Sequence, residues 1–168
     1  MRLTQQLLTR NECYIAGKTI RPRGVMVHST GANNPRVARY VPGDGVLGIN
    51  TGGNHWNSYH AGGRDIGPHP FVRDKITGRC KTCGGGQKAV HAFIGCFASG
   101  GVGTVQTLPW NRRGWHGASG KKGCCNNTHI AFEICEDGLT DPDYFQAVYR
   151  EAVELTAIHC KDYGLDPL

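Results

Sequence analysis

A long stretch without periodicity limits what this chain can fold into. Residues 42–87 are rich in Gly, Asn, His and Pro, and they show neither helical spacing nor strand alternation. Excursions of this length in a compact domain are usually functional, disordered or held by a metal. The chain contains 25 glycines, which also favour turns over long helices. The sequence therefore predicts a loop-rich domain rather than a helical bundle.

Regular structure is predicted on both sides of this stretch. Residues 24–29 form a nearly continuous apolar run typical of a buried strand, and residues 89–94 and 103–108 predict a hairpin. Residues 128–135 give the clearest strand pattern. Asp141 and Pro142 suit the start of a long helix whose apolar stripe ends near Gly164, and residues 3–8 suggest a short first helix. We expect one α/β domain over residues 1–168, a central mixed β-sheet flanked by helices.

The net charge and the distribution of basic and apolar residues limit the classes of partner that this chain is expected to bind. The formal net charge is +6, which suits a polyanion such as nucleic acid, an anionic membrane or a phosphate-bearing cell wall. Basic residues are scattered rather than gathered on one face, so nucleic acid is not expected as a partner. No window is apolar enough for a membrane span, and the N-terminus lacks the pattern of a secretory signal. We expect synthesis in the cytoplasm without a signal peptide, no membrane insertion, and a monomer.

Glu133 is the most unusual residue of the strongest predicted strand. It lies between Phe132 and Ile134, and alternation places it on one face with His129 and Ala131. The other face is expected to be core. The Glu133 face then either lines a site that accepts a carboxylate and an imidazole, or is simply exposed to solvent.

Three further histidines and a tryptophan are candidate site residues. His28 ends the first buried strand and offers a neutral ring nitrogen on a rigid element, although a structural histidine would look the same. His91 lies on the hairpin. Trp115 and His116 adjoin each other in a glycine-rich loop, where the indole suits either stacking on a sugar or anchoring the loop.

Four segments, in order, resemble one enzyme family. Residues 27–30, 90–94, 106–116 and 126–133 are similar to the strands and the Trp-His loop of the amidase-2 and peptidoglycan-recognition superfamily. The closest resemblance is to the N-acetylmuramoyl-L-alanine amidases of phage and prophage lysins. The similarity extends over residues 24–163.

The resemblance implies a fold, a reaction and roles for particular residues. Such enzymes use zinc to hydrolyse the amide between N-acetylmuramic acid and L-alanine in peptidoglycan. His28 lies at the position of the first zinc ligand and Glu133 at that of a general base. Zinc lowers the pKa of a bound water, and a neighbouring carboxylate can accept the proton of that water, so both roles are chemically consistent. We add His129 as a second catalytic residue, and Trp115, His116 and His91 as substrate contacts. The enzyme would act on the bacterial cell wall after release.

The resemblance also leaves the metal site incomplete. The family places its remaining ligands after the long helix. We therefore expect this chain to be a C-terminally truncated part of a longer lysin, with those ligands beyond Leu168. Two alternatives stay open. The chain could be a peptidoglycan-binding module without catalysis, or it could recruit a ligand from among His91, His116 and His129.

Cys80 and Cys83 form a separate motif. A Cys-x-x-Cys pair is half of a structural zinc site and needs two more ligands, for which His60, His69, Cys96 and the pair at residues 124–125 are available. The alternative is two free cysteines in a flexible turn. Residues 60–87, which contain the motif, are interpreted as a loop insertion. A zinc-knuckle nucleic-acid binder is disfavoured, because no aromatic and basic face accompanies the motif.

Overall fold

The computed structural model describes residues 1–121 and 123–167, and its centre is a five-stranded mixed sheet. The strand order is β1-β4-β3-β7-β2. The elements in chain order are β1 (Leu3–Gln5), α1 (Glu12–Ile15), β2 (Gly24–Asn33), β3 (Ala92–Cys96), β4 (Val102–Gln106), β5 (Ser119–Gly120), β6 (Gly123–Cys124), β7 (His129–Glu136) and α2 (Pro142–Tyr163).

Strand β7 lies between β3 and β2 in the sheet. β7 runs parallel to β2 on one side and to β3 on the other, while β3 and β4 form an antiparallel hairpin. β1 pairs in parallel with β4 at the edge of the sheet. The α/β architecture with a mixed sheet is therefore confirmed, as is the predicted hairpin.

The two faces of the sheet are covered differently. Helix α2 packs on one face, where Tyr144, Val148 and Leu155 meet Phe132 and Ile94. The other face is covered mainly by loops, with Tyr40, Trp56 and Leu47 among the residues that pack on Phe93 and Ala131. Since loops cover that second face, a cleft can open there beside the polar positions of β7.

Helix α2 has the ends that the sequence indicates. The side chain of Asp141 accepts hydrogen bonds from the backbone N–H groups of Asp143 and Tyr144, and Pro142 is the first helical residue. Gly164 closes the helix in the left-handed conformation, with φ of 61°.

The prediction of a helix over residues 3–8 is wrong. Leu3–Gln5 is a strand whose residues pair with Thr104, Val105 and Gln106. Burial of Leu8 and backbone hydrogen bonds to the edge of β4 outweigh the weak local helix propensity of this segment. In the part of the chain that the structure describes, no helix is both long and apolar enough to cross a membrane.

Candidate active site

Glu133 lies in a cleft of about 500 Å³ on the loop-covered face of the sheet. Its position on β7 is in register with His28 on the parallel neighbour β2. Paired positions on adjacent strands lie about 4.8 Å apart and project to the same face. The cleft is also lined by Trp56, Lys88, Trp115, His116 and Asn126.

The Glu133 carboxyl is held in an unusual electrostatic state. Burial raises its pKa to about 7, which the positive charge of Lys88 partly opposes and the nearby Glu136 reinforces. Its Oε2 atom is shielded from solvent and has no hydrogen-bond partner. A carboxyl group that titrates near neutrality and has a free oxygen suits general base catalysis.

Lys88 also lines the cleft. Burial lowers its pKa, and the Glu133 carboxylate works against that shift. Its ammonium nitrogen lies 4.8 Å from the centre of the Trp56 ring, within range of a cation–π contact. No periodicity or motif in the sequence singles out this lysine.

The side chains of His28, on β2, and His116 contact each other. His28 Nε2 lies 3.4 Å from His116 Nδ1. Burial, and then the nearby His91 and His28, lower the pKa of His116 to about 4, while burial alone lowers that of His28. His116 Nε2 is buried without a partner. Both pKa shifts favour the neutral imidazole, the form that binds metals.

Asn126 holds the loop that carries His116. Its Oδ1 accepts hydrogen bonds from the backbone N–H groups of His116 and Gly117, at 2.8 and 2.9 Å, and its Nδ2 donates to the Gly117 carbonyl. The side chain is 1% exposed. Sequence reasoning placed Asn126 in a family-like segment but assigned it no role, because the loop it supports is distant along the chain.

The structure does not support His91 as a substrate contact. The residue is completely buried, and both ring nitrogens are used: Nδ1 accepts from the Ala131 N–H and Nε2 donates to the Arg112 carbonyl. Burial lowers its pKa to about 4. His91 therefore positions β7 and the Arg112 turn and cannot reach a ligand. The sequence around His91 is that of a strand, and it does not indicate that both ring nitrogens form hydrogen bonds within the protein.

His129 and Trp115 lie at different distances from the cleft. His129 begins β7, four residues before Glu133, and its ring covers Gly24 while Nδ1 contacts the Thr128 hydroxyl. Four residues of strand span about 13 Å, so the structure does not bring His129 to Glu133. Trp115 is 43% exposed at the rim, with the Arg113 guanidinium 5.2 Å from its ring centre.

The described residues supply only part of a catalytic zinc site. Catalytic zinc takes three protein ligands and keeps an open position. His28 Nε2 and His116 Nδ1 fit two positions, but residues 1–121 and 123–167 hold no third His, Cys, Asp or Glu that completes a group with them. Of the three internal candidates His91, His116 and His129, only His116 meets His28.

A different set of residues has the arrangement of a complete metal site. His60, His69, Cys80 and Cys83 each offer one ligand atom, and these atoms all lie within 4.8 Å of one another. The cluster is the one such group found among the described residues. A second cavity, of about 850 Å³, is lined in part by Arg36, Arg39 and Asn50. Of the candidate ligands it contains Cys96, which is not part of the metal cluster.

Comparison with known proteins identifies a family. A family model described as N-acetylmuramoyl-L-alanine amidase matches residues 17–168. No curated protein matches the sequence.

Two solved structures are similar in fold. That of PlyL is 16% identical with a TM-score of 0.53, and the match covers 99% of this chain and 76% of PlyL. The solution structure of the PlyG catalytic domain is 16% identical with a TM-score of 0.55, and the match covers 98% of this chain and 73% of that domain.

Proposed function

Because the chain belongs to the N-acetylmuramoyl-L-alanine amidase family, we propose that it cuts the amide between the lactyl group of N-acetylmuramic acid and L-alanine in peptidoglycan, in a zinc-dependent reaction with Glu133 as general base. The substrate is the bacterial cell wall, as in a lysin that acts after release from the cytoplasm. The net charge of +6 favours approach to anionic wall polymers.

The observation that carries the proposal is the free oxygen of Glu133. Oε2 has no partner within the protein, although it is buried at the side of an open cleft. A buried unpaired carboxyl is costly for a fold, so its retention is best explained by a partner that arrives with the substrate. The attacking water and the leaving amine of the scissile amide are such partners.

Glu133 would act twice in each turnover. Its carboxylate first takes a proton from the water molecule as the water oxygen attacks the carbonyl carbon. The resulting carboxylic acid then gives this proton to the departing nitrogen of L-alanine, which leaves as an amine. A pKa of about 7 suits both transfers near neutral pH.

Zinc dependence is supported by the pair His28 and His116. Their facing nitrogens are 3.4 Å apart, close to the separation of about 3.3 Å between two nitrogens bound to one tetrahedral zinc. A bound zinc would lower the pKa of water and polarise the carbonyl. The pair needs at least one further ligand to make a catalytic site.

Trp115 and Arg113 form the rim that would contact the glycan. The partly exposed indole can stack on a sugar ring, and the Arg113 guanidinium lies 5.2 Å from the centre of the indole. Asn126 would keep His116 and this rim in place.

Zinc dependence can be tested on a form of the protein that supplies the further ligand. Removal of metal should abolish release of peptide from a synthetic muramyl peptide, and added zinc should restore it. His28→Ala should remove one zinc per chain and most turnover, whereas His55→Ala, a half-buried histidine outside the cleft, should change neither. Full activity of the metal-free chain would contradict zinc dependence.

The partial ligand set also supports a second candidate, a peptidoglycan-binding module without catalysis. Such a module would keep Trp115 and the cleft and bind insoluble peptidoglycan without releasing peptide. Sedimentation with peptidoglycan, measured beside the hydrolysis assay, separates the two candidates.

A further inference from the structure

We propose that His60, His69, Cys80 and Cys83 bind one structural zinc ion that fixes the loop insertion against the cleft. The cluster is separate from the pair His28 and His116. It combines the Cys-x-x-Cys motif with two histidines from earlier in the same loop.

The distances between ligand atoms fit a single tetrahedral ion. His60 Nδ1 lies 3.1 Å from His69 Nε2, Cys83 Sγ lies 3.4 Å from His60 Nδ1, and Cys80 Sγ lies 3.5 Å from His69 Nε2. Zinc bound at about 2.05 Å to nitrogen and 2.3 Å to sulfur implies edges of about 3.3 Å and 3.6 Å. Two thiolates would also neutralise the charge of the ion.

The far side of each imidazole ring is oriented as in known metal sites. His69 Nδ1 donates to the Gly67 carbonyl at 2.7 Å, which leaves Nε2 with its lone pair directed at the cluster. His60 Nε2 faces the Glu12 carboxylate at 3.9 Å, and its Nδ1 faces the cluster. A carbonyl or carboxylate behind a ligating histidine is the usual supporting arrangement.

The backbone around the cysteines is folded closely about the same point. The Gly85 N–H donates to Cys83 Sγ at 3.4 Å, and the Gly84 N–H donates to the Cys80 carbonyl at 2.7 Å. A Cβ at Gly63 would lie 2.8 Å from Cys83 Sγ, and one at Gly85 would lie 2.3 Å from the His60 carbonyl oxygen. Only glycine fits at either position, so the turn and the His60 segment are packed together around the four ligands.

The distances between the ligand atoms distinguish a single bound ion from an iron–sulfur cluster and from a redox-active pair of thiols. A two-iron, two-sulfur cluster with mixed ligands holds its histidines and cysteines on different irons, too far apart for nitrogen–sulfur contacts of 3.4 and 3.5 Å. A redox role for the thiols would not require two histidine nitrogens directed at them. Two nitrogens and two sulfurs in a closed tetrahedron favour zinc.

The ion would support the wall of the cleft. The Cys80 N–H donates to the Gly85 carbonyl, and Gly86 pairs with Ala61. This ties the end of the loop to its beginning just before Lys88, which lines the same cleft as Glu133. A metal at the cluster therefore substitutes for the secondary structure that this segment lacks.

The test is the cobalt spectrum and metal content of the purified chain. Replacement of zinc by Co²⁺ should give one thiolate-bound cobalt per chain, with sulfur-to-cobalt charge-transfer absorption and tetrahedral visible bands. The paired change Cys80→Ser and Cys83→Ser should abolish this absorption. The matched change Cys124→Ser and Cys125→Ser, at neighbouring cysteines outside the cluster, should leave it intact.

Two further measurements guard against a variant that merely misfolds. His69→Cys should still bind one cobalt, with stronger charge-transfer absorption from a third thiolate. In the unaltered chain, metal removal should expose the basic residues between Arg64 and Lys81 to trypsin, and zinc should protect them again. Absence of thiolate–cobalt absorption from the metal-loaded, unaltered chain would overturn the proposal. Because none of these readouts uses hydrolysis, their outcome is independent of the amidase proposal.

Discussion

At the scale of single residues, Glu133 and Lys88 line the same cleft and interact electrostatically. The position of Glu133 beside an open space could be predicted, because a carboxylate inside an apolar strand is rare and alternation fixes its face. Lys88 could not be predicted. Lys88 approaches Glu133 only because the loop of residues 60–87 returns to the sheet at Ala89, which pairs with Trp115.

Glu133→Gln should abolish hydrolysis while stabilising the fold. Burial raises the folded pKa of Glu133 to about 7 from 4.5, so folding becomes less favourable as pH rises from 4.5 through 7. The amide removes that penalty. With partial exposure taken into account, the free energy of unfolding above pH 7 should increase by on the order of 1–2 kcal/mol.

Denaturant unfolding at two pH values checks this prediction. Well below pH 4.5 the Glu133 carboxyl is protonated in both the folded and the unfolded state. The ionisation penalty is then absent, and the gain in stability from the substitution should disappear. An equal gain at both pH values would show that packing, not ionisation, is responsible. Retained hydrolysis would remove Glu133 as the base.

Lys88→Met should shift the pH dependence of hydrolysis. The Lys88 charge lowers the Glu133 pKa, so its loss should move the acidic limb of the profile to higher pH. Turnover below neutrality should fall several-fold and recover in alkaline buffer. Lys161→Met, on the exposed side of α2, is the control and should leave the profile unchanged. An unshifted limb in the Lys88 variant would show that the two groups are not coupled.

At the scale of elements, the predictions from sequence were correct where a local signal marks the element and wrong where no such signal exists. The ends of α2 are encoded by Asp141 and Gly164, whose conformations are set by short-range hydrogen bonds and chirality. β1 has no such signal. Its three residues become a strand because β4 offers an edge to pair with, which a sequence window does not contain.

Asp141→Ala should weaken the start of α2. The substitution removes the acceptor for the N–H groups of Asp143 and Tyr144 and should lower the free energy of unfolding by about 1 kcal/mol. Asp141→Asn keeps the acceptor and should cost only a few tenths of that amount. Equal losses in the two variants, measured by urea unfolding, would argue against a capping role.

At the scale of the whole molecule, an ordinary sheet carries an extensive set of loops. The sheet and α2 place Glu133 and His28 in register, and the loops provide Lys88, Trp115 and His116. The Cys-x-x-Cys motif was visible in the sequence, but its partners were not determined. Choosing His60 and His69 over Cys96 and residues 124–125 requires the path of the loop, which follows no periodic pattern.

The proposed cleavage of the bond between muramic acid and L-alanine can be measured directly. Purified peptidoglycan is digested with the zinc-loaded protein in a form that has a complete ligand set, and new N-terminal alanine and new reducing sugar ends are counted separately. We expect N-terminal alanine to rise with time, reducing ends to stay constant, and Glu133→Gln to release neither. New reducing ends, or no new N-terminal alanine from the unaltered protein in that form, would contradict the proposal.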